Sequence, residues 1–264
     1  MNIVITKMRP GAAFIFESGE RVMLRQGERF DQLFREKMEI IQSKDAFAFS
    51  VDALLVANFM RLTKRDKRIM DLCSGNGIIP LLLSHRTGSL IEGMEIQGRL
   101  VYMAQRSIGH NGKEHQITMH HLDMLDVKSH FTHSGYDAVC VNPPYFTKDQ
   151  PVKHKGPHSI ARHEVHIDLY GVIQTARYLI KNRGRLTIVH RAERSAEVIS
   201  ELHNQGFRVR RMQYVYNDPG AVVAMFVLIE AIFNSQAYAE VLPPFYIYNS
   251  DGAYSEGMLE VYYG

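Results

Sequence analysis

The sequence predicts an α/β protein: a doubly wound, mostly parallel seven-stranded sheet with one antiparallel strand. Three observations carry this. From Ile69 onward, short apolar runs alternate five times with helical patterns, as βα units of a parallel sheet do. The last two runs, 207–216 and 222–230, are joined through the turn Asn217-Asp218-Pro219-Gly220; parallel neighbours need a longer crossover, so this pair is antiparallel. Four earlier runs end near Asp71, Glu95, Asp123 and Asn142, which gathers polar side chains at the edge where open α/β sheets bind ligands.

Residues 1–28 are mixed, with one short apolar run at 13–16, and read as an unassigned extension; Met23 is an alternative start. Phe30, Leu33, Phe34 and Met38 recur at three- and four-residue spacings, which predicts a helix. Ser50 is placed to cap a second helix bearing Ala53, Leu54, Leu55, Ala57 and Phe59. Residues 29–66 therefore read as a helical segment ahead of the main domain, 67–264.

Strand one is 69–72. The turn Gly75-Asn76-Gly77 leads into a helix over 78–85, with Pro80 in its first turn, where proline is tolerated. Strand two is 90–96, and a helix over 100–110 is closed by Asn111-Gly112. Strands three and four are 117–121 and 136–141. A polar stretch rich in Lys and His, 146–166, precedes a helix over 168–180, which Asn182-Arg183-Gly184 stops. Strand five is 185–190, followed by a helix over 192–203 with Gly206 as its cap. The last 34 residues contain Pro243-Pro244 and many tyrosines, and read as short irregular or strand-like additions.

Composition narrows the function. The chain has 264 residues, 45% hydrophobic and 22% charged, ordinary for a soluble globular protein. A net charge of +3 excludes a polycationic coating protein but allows an anionic partner where basic residues cluster. Cys73 and Cys140 sit in apolar, strand-like settings, which suggests no disulfide framework and a cytoplasmic location. No apolar run is long enough to span a bilayer. The thirteen histidines fit no compact ligand spacing, so no metal is expected.

The candidate site is read from the strand ends. Asp71-Leu72-Cys73-Ser74-Gly75-Asn76-Gly77 lacks the third glycine of the dinucleotide fingerprint. Glycines let a backbone approach a ligand closely, and a preceding carboxylate suits a ligand with an amino group. The alternative is a plain βα turn. Glu95, 24 residues later, stands where ribose hydroxyls are bound, and Asp123 could accept from a base amino group. Asn142-Pro143-Pro144-Tyr145 ends strand four, because two prolines cannot continue a ladder. It offers an amide, carbonyl acceptors and an aromatic ring.

On these residues the chain resembles the class I S-adenosylmethionine-dependent methyltransferases, with a Rossmann-like fold. Residues 71–77 resemble motif I of that family, and Asn142-Pro143-Pro144-Tyr145 its motif for methylating amino groups of adenine, guanine or glutamine. Residues 47–59 and Ala161-Arg162-His163-Glu164 resemble, more closely, the bacterial tRNA-valine adenine-N6 methyltransferases. This resemblance runs from about residue 29 to the C-terminus. It implies S-adenosylmethionine as cofactor, with residues 47–53, including Phe49 and Ser50, as a lid. Asp71, Gly75 and Gly77 would surround the methionine moiety, Glu95 the ribose, and Asp123 with Met124 the adenine, with Cys73, Ser74, Asn76 and Ile96 as further cofactor-binding residues. Asn142 would meet both cofactor and target, with Pro143, Pro144 and Tyr145 completing the catalytic set.

An adenine amino group is a poor nucleophile because its lone pair is delocalised. Asn142 and the Pro143 carbonyl would accept its hydrogens, and Tyr145 would stack on a base that is flipped or already unpaired. The expected partner is RNA, above all tRNA, held by Lys148, Lys153, Lys155 and Arg162 and by Arg208, Arg210 and Arg211; residues 61–68 form a third basic group. Methylation of a protein glutamine, or of a base in ribosomal RNA or DNA, uses the same tetrapeptide. Only 68 residues precede strand one, short for the helical domain that glutamine methylators carry.

Overall fold

The βα alternation folds as one twisted sheet in a computed structural model that describes residues 23–43, 50–144, 169–236 and 238–264. Strands β3 (Arg68–Leu72), β4 (Leu90–Glu95), β5 (Ile117–His121), β6 (Tyr136–Val141) and β7 (Ile180–Arg191) are mutually parallel, and β8 (Phe207–Tyr216) runs the same way. β9 (Phe226–Phe233) is antiparallel to both its neighbours, β7 and β8. Two-residue strands β10 (Glu240–Val241) and β11 (Phe245–Tyr246) add to the outer side of β8, so the sheet has nine strands rather than the expected seven. Its order is β10-β8-β9-β7-β6-β3-β4-β5, with β11 beside β10's position on β8.

Both faces of the sheet are buried, which is why its strands read as apolar runs. Ile69, Ile91 and Ala138 point into a core with α1 (Val51–Phe59), α2 (Ile78–Arg86) and α3 (Gly98–His110). Met70, Leu72, Val139 and Val141 point into a second core with α5 (Leu169–Leu179) and α6 (Ser195–Asn204). A short helical turn, α4 (Val127–His130), follows a 3₁₀ turn at Met124–Asp126.

Three expectations are corrected. Residues 29–38 are not a helix. They belong to a hairpin of β1 (Glu28–Leu33) and β2 (Met38–Ser43). Leu33 pairs with Met38 and Phe30 with Ile41 across it, so helix-like spacing came from residues that meet between two strands. Residues 182–184 do not end a helix but lie within β7, where Arg183 has φ +66° and the pairing to β6 shifts register. The C-terminal additions contain a helix, α7 (Glu256–Tyr263), capped by the Ser255 hydroxyl accepting from Met258 N–H at 3.1 Å.

The hairpin lies along α3. Asn111 bonds both backbone groups of Glu39, at 3.0 and 2.7 Å, and the Ser107 hydroxyl accepts from Ile41 N–H at 2.9 Å. Arg106 and Glu28 form a fork-like ion pair at 2.6 and 2.8 Å, with side chains only 5% and 4% exposed. Removing one member strands the other charge in the interior. Arg106→Ala is therefore expected to cost about 3–5 kcal/mol in equilibrium denaturation, and a cost under about 1 kcal/mol would mean the pair behaves as a surface one.

Candidate active site

Parallel register brings the strand ends level. Leu72 pairs with Met94 on one side and Val141 on the other, so Cys73, Glu95 and Asn142 leave the sheet side by side. Asp71 lies one step deeper, opposite Gly93 and Cys140, and is fully buried. Asp123 follows β5 and half-emerges; its carboxylate caps the 3₁₀ turn by accepting from Leu125 N–H at 2.9 Å.

The loop after β3 is sharply bent. Cys73, Gly75 and Gly77 all have positive φ, +58°, +57° and +82°. At Gly77 a Cβ would sit 2.9 Å from the Ala104 Cβ of α3, so only glycine lets loop and helix meet. At Gly75 a Cβ would meet nothing within 4 Å: this side of the loop opens onto free space. For Cys73, a non-glycine in the left-handed region, the conformation is strained.

Two carboxylates face this loop with different electrostatics. Neither Asp71 oxygen receives a well-formed hydrogen bond among the described residues. Burial pushes its pKa up to about 8; the neighbouring Ser74 hydroxyl offsets this only in part, and the Glu95 charge adds to it. Glu95 accepts from Gly75 N–H at 3.0 Å and Gln97 N–H at 2.8 Å, yet burial still holds its pKa above the usual carboxylate range. Two bonds leave acceptor capacity on the Glu95 oxygens. The set can take a ligand that brings an amino group to Asp71 and hydroxyls to Glu95.

Other expected residues divide. Ile96 is half-buried beside Glu95, and Met124 is buried. Ser74 and Asn76 are also buried, and their side chains serve the fold: Ser74 lies against Met119, and Asn76 donates to the Ile41 carbonyl at 3.0 Å, tying the loop to β2. Ser50 stands at the N-cap of α1 as expected, but its hydroxyl bonds the Asp52 carboxylate rather than a backbone N–H. Asn142 is half-buried, Pro143 buried and Pro144 exposed. Phe49, Tyr145 and the basic group from Lys148 to Arg162 lie outside the described residues.

The other two basic groups differ in how far the fold engages them. Arg211 turns inward, paired with Glu230 at 3.3 Å and stacked 4.3 Å over the Phe59 ring. Arg210 faces Glu240 at 3.6 Å, and Arg208 donates to its neighbour's carbonyl at 3.0 Å. β8 has strands on both sides, so its arginines find partners within the fold. Residues 61–67 precede β3 and lie at the opposite end of the sheet from Asn142, where Asp66 accepts from Thr63 N–H and pairs with Arg185 at 2.6 Å. Missed in the sequence were His190 and Arg191, which end β7 beside the Asn142 strand; no motif marks them. Among the described residues no helix is long and apolar enough to cross a membrane, and no group of three or more His, Cys, Asp or Glu could hold a metal ion.

A family model for the methyltransferase small domain matches residues 43–215. The chain belongs to that family. It is an S-adenosylmethionine-dependent methyltransferase, and S-adenosylmethionine is its cofactor. A protein of Edwardsiella ictaluri named tRNA1(Val) (adenine(37)-N6)-methyltransferase is 25% identical over 160 residues, 61% of this chain. The match spans 64% of that relative, just under two thirds of its length. A protein of the same name from Tolumonas auensis is 24% identical over 196 residues, 74% of this chain and 80% of its own. Among solved structures, a predicted O-methyltransferase from Agrobacterium tumefaciens superposes with a TM-score of 0.64 at 20% identity, covering 80% of this chain and 95% of that one. It shares the methyltransferase fold.

Asp71, buried with no well-formed hydrogen bond among the described residues, and the open side of Gly75 fit this cofactor, which carries an ammonium group. The sign of the pH effect follows. In the ligand-free protein Asp71 keeps its proton up to about pH 8, whereas in the unfolded chain it ionises near the ordinary aspartate pKa of 3.8; its contribution to stability is fully present below about pH 4 and is lost as pH rises from there through 8. A cation bound beside Asp71 favours the ionised form, so cofactor binding at pH 7 is expected to release up to about one proton. Calorimetry in buffers of different ionisation enthalpy measures this. Asp71→Asn should abolish the release; an unchanged release in that variant would place the proton elsewhere.

Proposed function

We propose that the protein methylates the exocyclic amino nitrogen of an adenine in the anticodon loop of a tRNA. The observation carrying this reading is the exit of Asn142-Pro143 from β6 level with Glu95 and one step above the buried Asp71. An amino-group acceptor pair thus adjoins a pocket suited to the methyl donor. The names of the curated relatives support the choice of tRNA and of adenine.

Asp71 and Glu95 would hold the ammonium and ribose ends of S-adenosylmethionine, Ile96 would flank the ribose, and Asp123 with Met124 would take its adenine. When bound, the cofactor supplies an electrophilic methyl group. The Asn142 side-chain oxygen and the Pro143 carbonyl accept the two amino hydrogens of the target. That draws the nitrogen toward tetrahedral geometry and frees its lone pair. No strong base is required before transfer, because the proton departs afterwards. Orientation of this kind supplies on the order of 7–11 kcal/mol of rate enhancement, with charge stabilisation by the fixed acceptors added to it. Tyr145 stacks on the target base, worth about 1–3 kcal/mol.

The reading is tested by labelled methyl transfer to bulk tRNA, ribosomal RNA and release factors in parallel, followed by mapping of the product; label appearing only in protein would overturn it. Asn142→Ala should reduce transfer by at least about two orders of magnitude while sparing cofactor affinity. Retention of more than about a tenth of the wild-type rate would remove Asn142 from the chemistry. Tyr145→Ala should raise KM for RNA well above that of Tyr145→Phe, and equal effects would argue against stacking.

A further inference from the structure

The connection between β8 and β9 differs from its expected form. The strand expected from residue 222 begins instead at Phe226. Val222 and Val223 are thereby left at the tip of the turn, 95% and 73% exposed. The tip lies at the catalytic edge, because β8 runs parallel to β6 and its C-terminal end points the same way. In the sheet order, β9 is two strands from β6, about 10 Å at the usual strand spacing.

The tip is held in place. Asp218 accepts from Gly220 N–H at 2.8 Å through its carboxylate and from Ala221 N–H at 3.1 Å through its carbonyl. Met225 N–H donates to the Val215 carbonyl at 2.7 Å, and Ala192 N–H to the Met225 carbonyl at 3.1 Å. The last bond fastens the tip to the segment that follows Arg191. Valine side chains are stiff at χ1, so this apolar point loses little entropy when it is inserted. At its base Arg191 is exposed and in no ion pair with a described residue, whereas Arg194 is committed to Glu197.

We propose that Val222 and Val223 form a wedge that enters the RNA stack beside the target adenine, with Arg191 anchoring a neighbouring phosphate. This rests on the RNA reading above. A base that must reach Asn142 has to leave its neighbours, and an apolar side chain placed between base steps lowers the cost of unstacking them. A cation beside the wedge meets the backbone that the displaced base draws with it.

The test compares kcat/KM for folded tRNA with that for an unstructured oligonucleotide carrying the target sequence. Replacing both valines by aspartate (V222D with V223D) should lower the preference for folded tRNA by at least about tenfold, since unstacking costs a few kcal/mol per step. Val222→Leu should retain the preference. Arg191→Ala should raise KM for both RNAs and reduce the slope of log affinity against log salt by about one. Melting temperature and cofactor affinity serve as folding controls, because the tip touches neither core. Equal losses on both RNAs, or none, would overturn the wedge while leaving the RNA reading intact. A wild-type enzyme that methylates neither RNA would overturn both.

Discussion

Parallel pairing of β3 with β4 and β6 is the constraint on which the site depends. With Leu72 level with both Met94 and Val141, an acidic residue, a bent loop and an amide reach one rim within two strand spacings. A slip of one residue in either ladder would turn every side chain of that strand to the other face and send the adjoining groups into the two apolar cores. The buried faces of the strands, rather than any bond at the rim, therefore set the geometry of the site.

That rim carries a cost. Asp71 is wholly enclosed with no well-formed hydrogen bond among the described residues, Glu95 is buried as well, and Cys73 takes a left-handed conformation. Burying polar groups in this way is unfavourable unless something compensates. The compensation available within the fold is neutralisation of Asp71 and the two backbone bonds to Glu95. Such an arrangement is poised for a ligand that supplies what the fold omits.

Much of this was legible in the sequence, and the boundary of legibility is physical. The bounds of β5, β6 and β8 match the expected strands residue for residue: β6 is buried almost throughout, and β5 and β8 bury residues at recurring positions along the strand. The carboxylates could be placed by counting from those runs. What one chain segment could not show was pairing between segments. Phe30 and Leu33 read as helical because their partners, Ile41 and Met38, sit across a turn. The part that Asn76 plays in the fold was equally hidden: its side chain donates to the Ile41 carbonyl, far away in sequence. Arg211 read as a phosphate binder, but Glu230 and Phe59 claim it from neighbouring elements. In α7, only Met258 and Val261 are buried, too sparse an apolar face to announce a helix beside a run of tyrosines.

The bond from Asn76 to the Ile41 carbonyl joins two parts of the chain with separate jobs. One is the glycine loop at the rim; the other is the hairpin along α3. A bond shared by two such units makes their opening equilibria interdependent. To the extent that this bond couples them, steadying the loop disfavours opening of β2 by the same free energy as holding the hairpin disfavours opening of the loop, since linkage is reciprocal. The hairpin is thus tied to the glycine loop from outside the sheet.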